Sequence, residues 1–241
     1  MKISYRRKEE SSYTEILRVT DESSYLEMLR YNHPEEILEV NLTGQENFRD
    51  ITLDRCFPNL KELNVYNCRF TAPQYICPKV TTLTLENVSF CASDLYSCFP
   101  GLRTLFISTF DDIDLQGIET IKGITRLRIR GCRSIRNIKR LNGFRDLQEL
   151  EIVTMKDLSE DDKMSMCELT YRYFTSIVSF GLSIRDVPDG EKPWSIVFGS
   201  RVLNDVNLVN VNATVQIKSS CARKGTFFSS KGKFVSIFYF Y

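Results

Sequence analysis

The feature of this sequence that most constrains its fold is a four-point apolar pattern that recurs along most of the chain. Aliphatic residues occupy positions 1, 4 and 6 of a nine-residue segment, and position 9 is Asn, Cys or apolar, as in Leu60, Leu63, Val65 and Cys68. Copies start at residues 37, 60, 80, 102, 124, 147, 177 and 203, at intervals of 23, 20, 22, 22, 23, 30 and 26. A near-constant period of this length predicts stacked, similar units.

The spacing within each copy predicts which residues fill the interior. Positions 4 and 6 point to one side of a short strand, because strand side chains alternate between two faces. Positions 1 and 9 are the corners at which the chain enters and leaves that strand, so we expect them inside as well. One unit cannot bury its apolar face alone, whereas stacked neighbours share a continuous core. The clearest further copies are Val80, Leu83, Leu85 and Val88; Leu102, Leu105, Ile107 and Phe110; Ile124, Leu127, Ile129 and Cys132; and Leu147, Leu150, Ile152 and Met155.

This pattern resembles the leucine-rich-repeat superfamily over roughly residues 14 to 212. The stretch from Ile129 to Ile152 is similar to the 22-residue subclass, whereas the cysteines at position 9 and the Phe-Pro turns at Phe57 and Phe99 are similar to the cysteine-containing subclass of F-box substrate receptors. The resemblance implies an α/β fold: a leucine-rich-repeat solenoid of about eight or nine repeats, with a curved parallel β-sheet on the concave face and short helices and turns on the convex face.

Three regions follow from this reading: 1–36 as an N-terminal cap with a strand and a short helix, 37–212 as leucine-rich repeats, and 213–241 as a C-terminal cap or tail. We expect the cap helix at Ser23–Arg30. For the last region we expect a strand at Ala213–Ile217 and a closing hairpin that uses the apolar run from Phe234 to Tyr241, because a solenoid needs its terminal units covered.

Two departures interrupt the period. Ser159 to Phe174 predicts a helix with Ser159 as its N-cap, followed by three acidic residues in its first turn. Met164, Cys167, Tyr171 and Phe174 share one face of that helix at helical spacing. Asp186 to Ser200 contains a Pro-Asp-Gly turn and Trp194, and we expect an extended loop there.

Composition and motifs narrow the function. The formal net charge is +1, so no global field directs the chain to nucleic acid, and we expect no membrane partner because no apolar run approaches 18 residues. The single histidine, His33, and the absence of CxxC pairs, glycine-rich phosphate loops, GxSxG and HExxH favour a protein that is not an enzyme and has no metal, cofactor or catalytic residue. Without a recognisable signal peptide, the eight cysteines are expected as thiols in the cytoplasm or nucleus.

The outward strand positions carry the candidate binding residues. Arg126, Arg128 and Arg130 form the most informative column, and in-register pairing would place Arg126 beside Glu149 and Arg128 beside Glu151. Two interpretations stay open and are compatible: a ladder of cross-strand ion pairs, and a recognition patch. Arg130, with Val153 beside it, is expected to be the arginine most available to a partner. The predicted partner-binding residues are Arg126, Arg128, Arg130, Phe106, Tyr66, Glu62, Glu149 and Glu151.

The leading hypothesis is a non-enzymatic interaction module that binds a protein on its concave face, with an acidic segment in that partner. The alternative is an F-box-type ubiquitin-ligase substrate receptor or adaptor, although residues 1–36 lack a recognisable F-box. A regulatory subunit of an enzyme such as a phosphatase is a weaker alternative, which depends on the 22-residue subclass alone. Neither the oligomeric state nor the identity of the partner follows from the sequence.

Overall fold

The computed structural model describes residues 2–7, 14–18, 34–44, 57–67, 76–90, 92–186, 194–217, 227–228 and 237–239. The predicted cap helix at Ser23–Arg30 lies outside these residues, as does Cys68. The chain divides into two compact units, Met1–Ile107 (unit 1) and Ser108–Tyr241 (unit 2). The boundaries predicted at residues 36 and 212 separate the caps from the repeats, whereas the two units are defined by compactness. Those boundaries therefore stay a prediction.

Unit 1 is built on one sheet with the strand order β2-β1-β3-β4-β5-β6. Its strands are β1 (Lys2–Arg7), β2 (Thr14–Arg18), β3 (Ile37–Thr43), β4 (Glu62–Tyr66), β5 (Thr82–Glu86) and β6 (Thr104–Ser108), whose last residue begins unit 2. β1 pairs antiparallel with both β2 and β3, whereas β3, β4 and β5 are parallel. Equivalent repeat positions pair directly, as Leu63 does with Leu83 and Val65 with Leu85.

The core of unit 1 consists of the predicted aliphatic positions. Val40, Leu63, Val65, Leu83 and Leu105 are buried, as the alternation of strand side chains requires. A short helix, α1 (Ala92–Cys98), connects β5 to β6, and Leu95 anchors it in the interior. Phe57, Cys77 and Phe99 precede successive strands at the same repeat position and are also buried.

Unit 2 continues the repeats in the parallel sheet β8-β10-β11-β13-β15. Two further parallel sheets, β7-β9 and β12-β14-β16, complete it. The strands are β7 (Ile113–Asp114), β8 (Arg126–Cys132), β9 (Ile135–Arg136), β10 (Glu149–Lys156), β11 (Ser179–Asp186), β12 (Trp194–Phe198), β13 (Asp205–Val209), β14 (Ala213–Ile217), β15 (Phe227–Phe228) and β16 (Ile237–Tyr239). Two 3-10 helices, Ile118–Thr120 and Ile138–Gly143, form part of the connections.

Most predicted interior positions of unit 2 are buried, Leu127, Ile129 and Cys132 among them. Phe110 is a correction, because 72% of its surface is exposed although the repeat pattern predicts it inside. The physical reason lies three residues later: Ile113 is buried and pairs with Ile135, so it fills the interior position after the strand. Met155 is likewise only partly buried.

The predicted helix is present, and of the four residues that share its apolar face only Phe174 is fully buried. α2 (Glu160–Glu168) is capped by the Ser159 side chain, which accepts from the Asp162 amide, and it continues as a π-helix over Leu169–Tyr173. Met164 and Tyr171 are exposed. The inward residues of this segment are half polar and half apolar: Asp162, Lys163, Met166, Leu169, Thr170 and Phe174.

Two of the inward polar residues have buried partners. Lys163 is only 5% exposed and forms ion pairs with Asp157 at 2.7 Å and Glu160 at 3.1 Å. Asp162 accepts from the Ile138 amide at 3.0 Å, which attaches the start of α2 to the 3-10 helix below it. The ion pair of Lys163 with Asp157 and the contact of Asp162 with Ile138 therefore hold these residues inward, while Met164 and Tyr171 face solvent.

Two expectations for the last part of the chain are also corrected. Trp194–Phe198 is the strand β12 rather than part of a loop, because it pairs in register with the predicted strand β14 and buries Ile196 and Phe198. β16 pairs parallel with β14, and β15 parallel with β13. A hairpin requires an antiparallel pair, so the closing hairpin is wrong for these strands; they extend the parallel sheets instead.

Asparagines in left-handed conformation turn the chain after several strands. Asn67, Asn87 and Asn210 follow β4, β5 and β13 with φ of 52°, 51° and 56°. Asparagine accepts this conformation more readily than other residues with a side chain. In unit 1 the Asn67 amide donates to the Glu86 carbonyl, and the Asn87 side chain donates to the Asn67 side chain at 3.2 Å.

Candidate functional site

The outward face of β8 and β10 in unit 2 carries a continuous set of ion pairs. The strands are parallel and in register, with Arg126 opposite Glu149 and Arg128 opposite Glu151. Arg126 Nε lies 3.2 Å from Glu149 Oε1, and Arg128 lies 3.7 Å from Glu149 and 3.6 Å from Glu151. We refer to Arg126, Arg128, Arg130, Glu149 and Glu151 as the arginine–glutamate ladder.

Arg130 departs from the expectation that it is the arginine most available to a partner. Its Cα partner is Val153, but its Nη2 lies 2.7 Å from Glu151 Oε2, the shortest ion pair of the ladder. The long arginine side chain reaches the diagonal neighbour across the strand pair, which lies within about 7–8 Å in a sheet. Arg130 therefore belongs to the ladder.

The ladder is a surface feature. The arginine side chains are 43–55% exposed and the glutamates about 30%, so each pair contributes only about 0–1 kcal/mol to stability. Three guanidinium groups face two carboxylates, which leaves one positive charge in excess within the set. The face is thus stabilised weakly, and its charged groups are accessible to a partner.

Small side chains adjoin the ladder on β11. Ser179 and Gly181 are the Cα partners of Glu149 and Glu151. A Cβ at Gly181 would lie 3.4 Å from Glu151 Cγ, so the missing side chain leaves room for the stem of Glu151. Beyond β11, Ser179 Oγ and an oxygen of the Asp205 carboxylate are 3.3 Å apart. The two glutamates therefore have the arginines of β8 on one side and the small residues Ser179 and Gly181 of β11 on the other.

A second row of ion pairs surrounds the same repeat and was missed at the sequence level. Arg133 donates twice to Asp112, at 2.9 and 2.8 Å, and Arg140 pairs with Glu119 at 3.0 Å. These pairs, and that of Arg130 with Glu151, all join residues 21 apart in the chain. Opposite charges one repeat length apart are a signal that could have revealed them.

The Asp112 carboxylate is held in its charged form. Its hydrogen bonds from Arg133, foremost, and from Ser134 hold its pKa well below the usual range for aspartate. Asp114 shows the same direction: hydrogen bonds from the Asn137 side chain and the Gln116 amide lower its pKa. Both carboxylates stay ionised at neutral pH, so they offset part of the positive charge of Arg133 and Arg136.

The remaining predicted site residues lie in unit 1. Glu62 and Tyr66 are half-buried on β4, and Phe106 is partly buried on β6. Burial raises the pKa of the Tyr66 phenol, and the nearby carboxylates of Glu86, Glu39 and Glu62 add to that effect. This part of the sheet is acidic, unlike the ladder in unit 2.

Two outward positions of unit 1 are not on the open surface. Glu39 and Asn64 are buried, at 2% and 5% exposure. Asn64 Nδ2 donates to Glu39 Oε1 at 3.1 Å and to Asn41 Oδ1 at 2.8 Å, which satisfies polar groups that burial would otherwise penalise. These residues of β3 and β4 have a structural role, and the accessible positions lie farther along the strands.

Three of the described cysteines, Cys77, Cys98 and Cys132, are buried, and Cys167 is partly buried. Cys132 is fully buried, as expected, with its Sγ 3.8 Å from the Val153 carbonyl, and burial raises its pKa to about 11. Such a thiol is a poor nucleophile at neutral pH. No group of three or more His, Cys, Asp or Glu side chains arranged to hold a metal ion occurs in the part of the chain that the structure describes.

Two solved structures that are similar to this chain are internalins. Internalin C2 of Listeria monocytogenes matches with a TM-score of 0.52 and 16% sequence identity, over 82% of this chain and 82% of that chain. An internalin F of the same organism matches with a TM-score of 0.36 and 10% identity, over 76% of this chain and 71% of that chain. The first likeness confirms the predicted fold class, an α/β leucine-rich-repeat solenoid.

No protein-family model matches the chain. A search of the curated proteins gives no significant match. The resemblance to F-box substrate receptors, the repeat subclasses and the cytoplasmic or nuclear location therefore stay predictions. Within the described residues, every helix is too short or too polar to cross a bilayer.

Proposed function

We propose that this leucine-rich-repeat solenoid is a non-enzymatic protein–protein interaction module, and that the outward face of β8 and β10 binds its partner. The observation that carries the proposal is the arginine–glutamate ladder, a set of five charged side chains held in fixed register on neighbouring strands. Arginine is enriched at interfaces, where its planar guanidinium group makes oriented hydrogen bonds.

The excess guanidinium in the ladder favours an acidic segment in the partner. Glu149 and Glu151 each serve two arginines, so a carboxylate supplied by the partner can take over one of these contacts. Nucleic acid fits the face less well, because the same two glutamates would repel phosphates. The acidic residues of unit 1, including Glu62, would not attract the same segment.

A triple substitution tests the site. Arg126→Gln, Arg128→Gln and Arg130→Gln together remove the guanidinium groups without creating new carboxylates. Partners are first identified by crosslinking the native protein in cell lysate and mapping the crosslinked peptides. We expect the triple variant to lose binding of the purified partner while its circular dichroism spectrum stays unchanged. Arg172→Gln, an exposed arginine on the π-helix of unit 2, is the matched control and should bind normally.

A variant with two substitutions tests whether the partner segment is acidic or basic. Glu149→Gln and Glu151→Gln remove the carboxylates that compete for the arginines, so an acidic partner should bind several-fold more tightly. A basic partner would instead lose its attachment points and bind more weakly. Normal binding by the triple arginine variant would show that another surface is used, and crosslinks confined to unit 1 would show the same.

A further inference from the structure

Unit 1 contains two buried thiols from successive repeats that lie next to each other. Cys77 precedes β5 and Cys98 ends α1; their exposures are 4% and 1%. Neither is in a disulfide. Their positions have no part in the ladder, which belongs to unit 2, so their chemistry is independent of the proposed binding function.

The backbone geometry limits the distance between the two residues. The Cys77 amide donates to the Cys98 carbonyl at 2.7 Å. Adding the standard bond lengths on either side, the two α-carbons are at most about 7 Å apart. A disulfide without backbone movement requires α-carbons no more than about 7 Å apart, and the two residues meet that requirement. The Cys77 thiol is also near enough to contribute to the raised pKa of Cys98.

A surface cavity borders one of the two cysteines. Its volume is about 270 Å³, and Phe57, Ile76, Cys77, Pro78 and Lys79 contribute to its lining. Ile76 is exposed at its mouth. Lys79 is also exposed, and its ammonium group donates to Asn59. Cys77 therefore borders a cavity that has an apolar wall and a cation, a combination that suits a small anionic molecule that reacts with sulfur.

We propose that Cys77 and Cys98 form a thiol-modification site, in which Cys77 reacts with a small anionic disulfide of the oxidised-glutathione class and Cys98 resolves the adduct. The Cys77 thiolate attacks one sulfur of the small disulfide, whose S–S bond breaks, and one glutathione leaves with the proton that Cys77 lost. Cys98 then gives up its proton and attacks the Cys77 sulfur, and the second glutathione leaves with that proton. The two protein thiols lose two electrons, and one oxidised glutathione becomes two reduced molecules.

The surroundings of Cys98 set the speed of this exchange. Burial, with Asp94 and Cys77, raises the pKa of Cys98 to about 12, so its thiolate is scarce at neutral pH and attack on the adduct is slow. The nearby mixed disulfide partly offsets this, because a positioned reactant has a high effective concentration. Attack by Cys98 on the adduct is therefore the slow step, and we expect the modification to form slowly.

Mass spectrometry of the full chain after incubation with oxidised glutathione tests the site. Wild type should lose two hydrogen atoms without retaining glutathione, and peptide mapping should join Cys77 to Cys98. Cys98→Ala should accumulate a glutathione adduct at Cys77, because the resolving thiol is absent. Cys77→Ala should leave Cys98 unmodified. Cys98→Ser serves as the second variant if the alanine variant does not fold.

Cys132→Ala is the matched control, because Cys132 is equally buried but lies in unit 2, and it should not alter the Cys77–Cys98 crosslink. Three results would overturn the proposal: a stable adduct at Cys77 in wild type, no adduct in either Cys98 variant that folds, or a crosslink from Cys77 to another cysteine. Because the readout is a covalent mass, it does not depend on whether the ladder binds a partner.

Discussion

Two glycines of unit 2 differ in what a side chain would meet. A Cβ at Gly199 would clash with the Tyr171 carbonyl oxygen, because the end of β12 lies directly against the π-helix; the Gly199 amide also donates to Thr170. We expect Gly199→Ala to lower the free energy of unfolding by about 1–3 kcal/mol. Gly181→Ala, which makes only an ordinary contact with Glu151, should change it by less than about 1 kcal/mol. Urea unfolding of both variants measures this, and equal destabilisation would contradict the close approach at Gly199.

Asp112 makes the stability of the protein depend on pH in a defined direction. Its pKa is lowered in the folded state by Arg133 and Ser134, and its unfolded value is about 3.9. The contribution is therefore fully present above about pH 4 and is lost as the pH falls through the lower folded value. Asp112→Asn should be less stable than wild type at neutral pH, and the difference should shrink in acid. Urea midpoints at neutral and acidic pH measure it; a constant difference would contradict the ion pair.

The pairing of Arg126 with Glu149 could be predicted from the sequence, because in-register neighbours on parallel strands are fixed by the repeat. The contact of Arg130 with Glu151 could not, since the length of an arginine side chain lets it choose between opposite and diagonal partners. Phe110 shows that the burial of an apolar residue can also be mispredicted from the repeat pattern. Its spacing matches the repeat, but Ile113 fills the interior position after the strand, and spacing alone does not decide between two such candidates.

Among the elements, α2 shows how a short polar cluster decides which face of a helix is buried. Its location and its Ser159 cap follow from the sequence, but the buried face depends on contacts from Asp157 and the 3-10 helix at Ile138–Gly143. The π-helix at Leu169–Tyr173 changes the side-chain spacing as well. Strand β12 was missed because the Pro-Asp-Gly sequence before it predicts a turn and a loop, and because its partner, β14, lies later in the chain.

Lys163 tests this account of α2. Burial alone would lower its pKa, but hydrogen bonds to Asp157 and Glu160 outweigh burial and raise it, so the residue is charged in the folded protein. Lys163→Met leaves the Asp157 carboxylate, 15% exposed, without its cation, and we expect a loss of about 3–5 kcal/mol. Met164→Ala, at the adjacent exposed position, should cost less than about 0.5 kcal/mol. Thermal and urea unfolding compare them.

The pair itself can be separated from the loss of packing. Adding Asp157→Leu to Lys163→Met removes the unpaired carboxylate, so the double variant should recover much of the lost stability. A double variant as unstable as the single one would show that the ion pair is not the reason for the cost.

For the whole molecule, the fold could be predicted because one pattern recurs at a near-constant period, so each copy supports the interpretation of the others. The ends of the array could not, since they depart from that pattern: β15 and β16 continue parallel sheets where a hairpin was expected. The partner-binding site is predictable only as a surface, because ion pairs between repeats look the same in sequence whether they stabilise the sheet or bind a partner.

Charge balance also predicts how a partner associates. The chain has a formal net charge of +1, and the ladder neutralises most of its own arginines. Long-range attraction is therefore weak, and the association rate constant should change by less than about tenfold between low and physiological ionic strength. Dissociation should be the more sensitive rate in variants of the ladder. Stopped-flow measurements with the crosslinked partner, once purified, check this; steep salt dependence of association would indicate a larger basic surface.

The charged pairs one repeat apart have a consequence for how this gene can change. Arg133 and Arg140 pair with Asp112 and Glu119 of the preceding repeat, and the three arginines of the ladder pair with Glu149 and Glu151 of the following one. Excision of the repeat that carries these arginines would leave the four carboxylates without their cations. Exchange of this repeat with a neighbouring copy would place several of the carboxylates beside side chains that are not arginine. Copy number and order are therefore constrained in this part of the array, although its apolar spacing would tolerate shuffling.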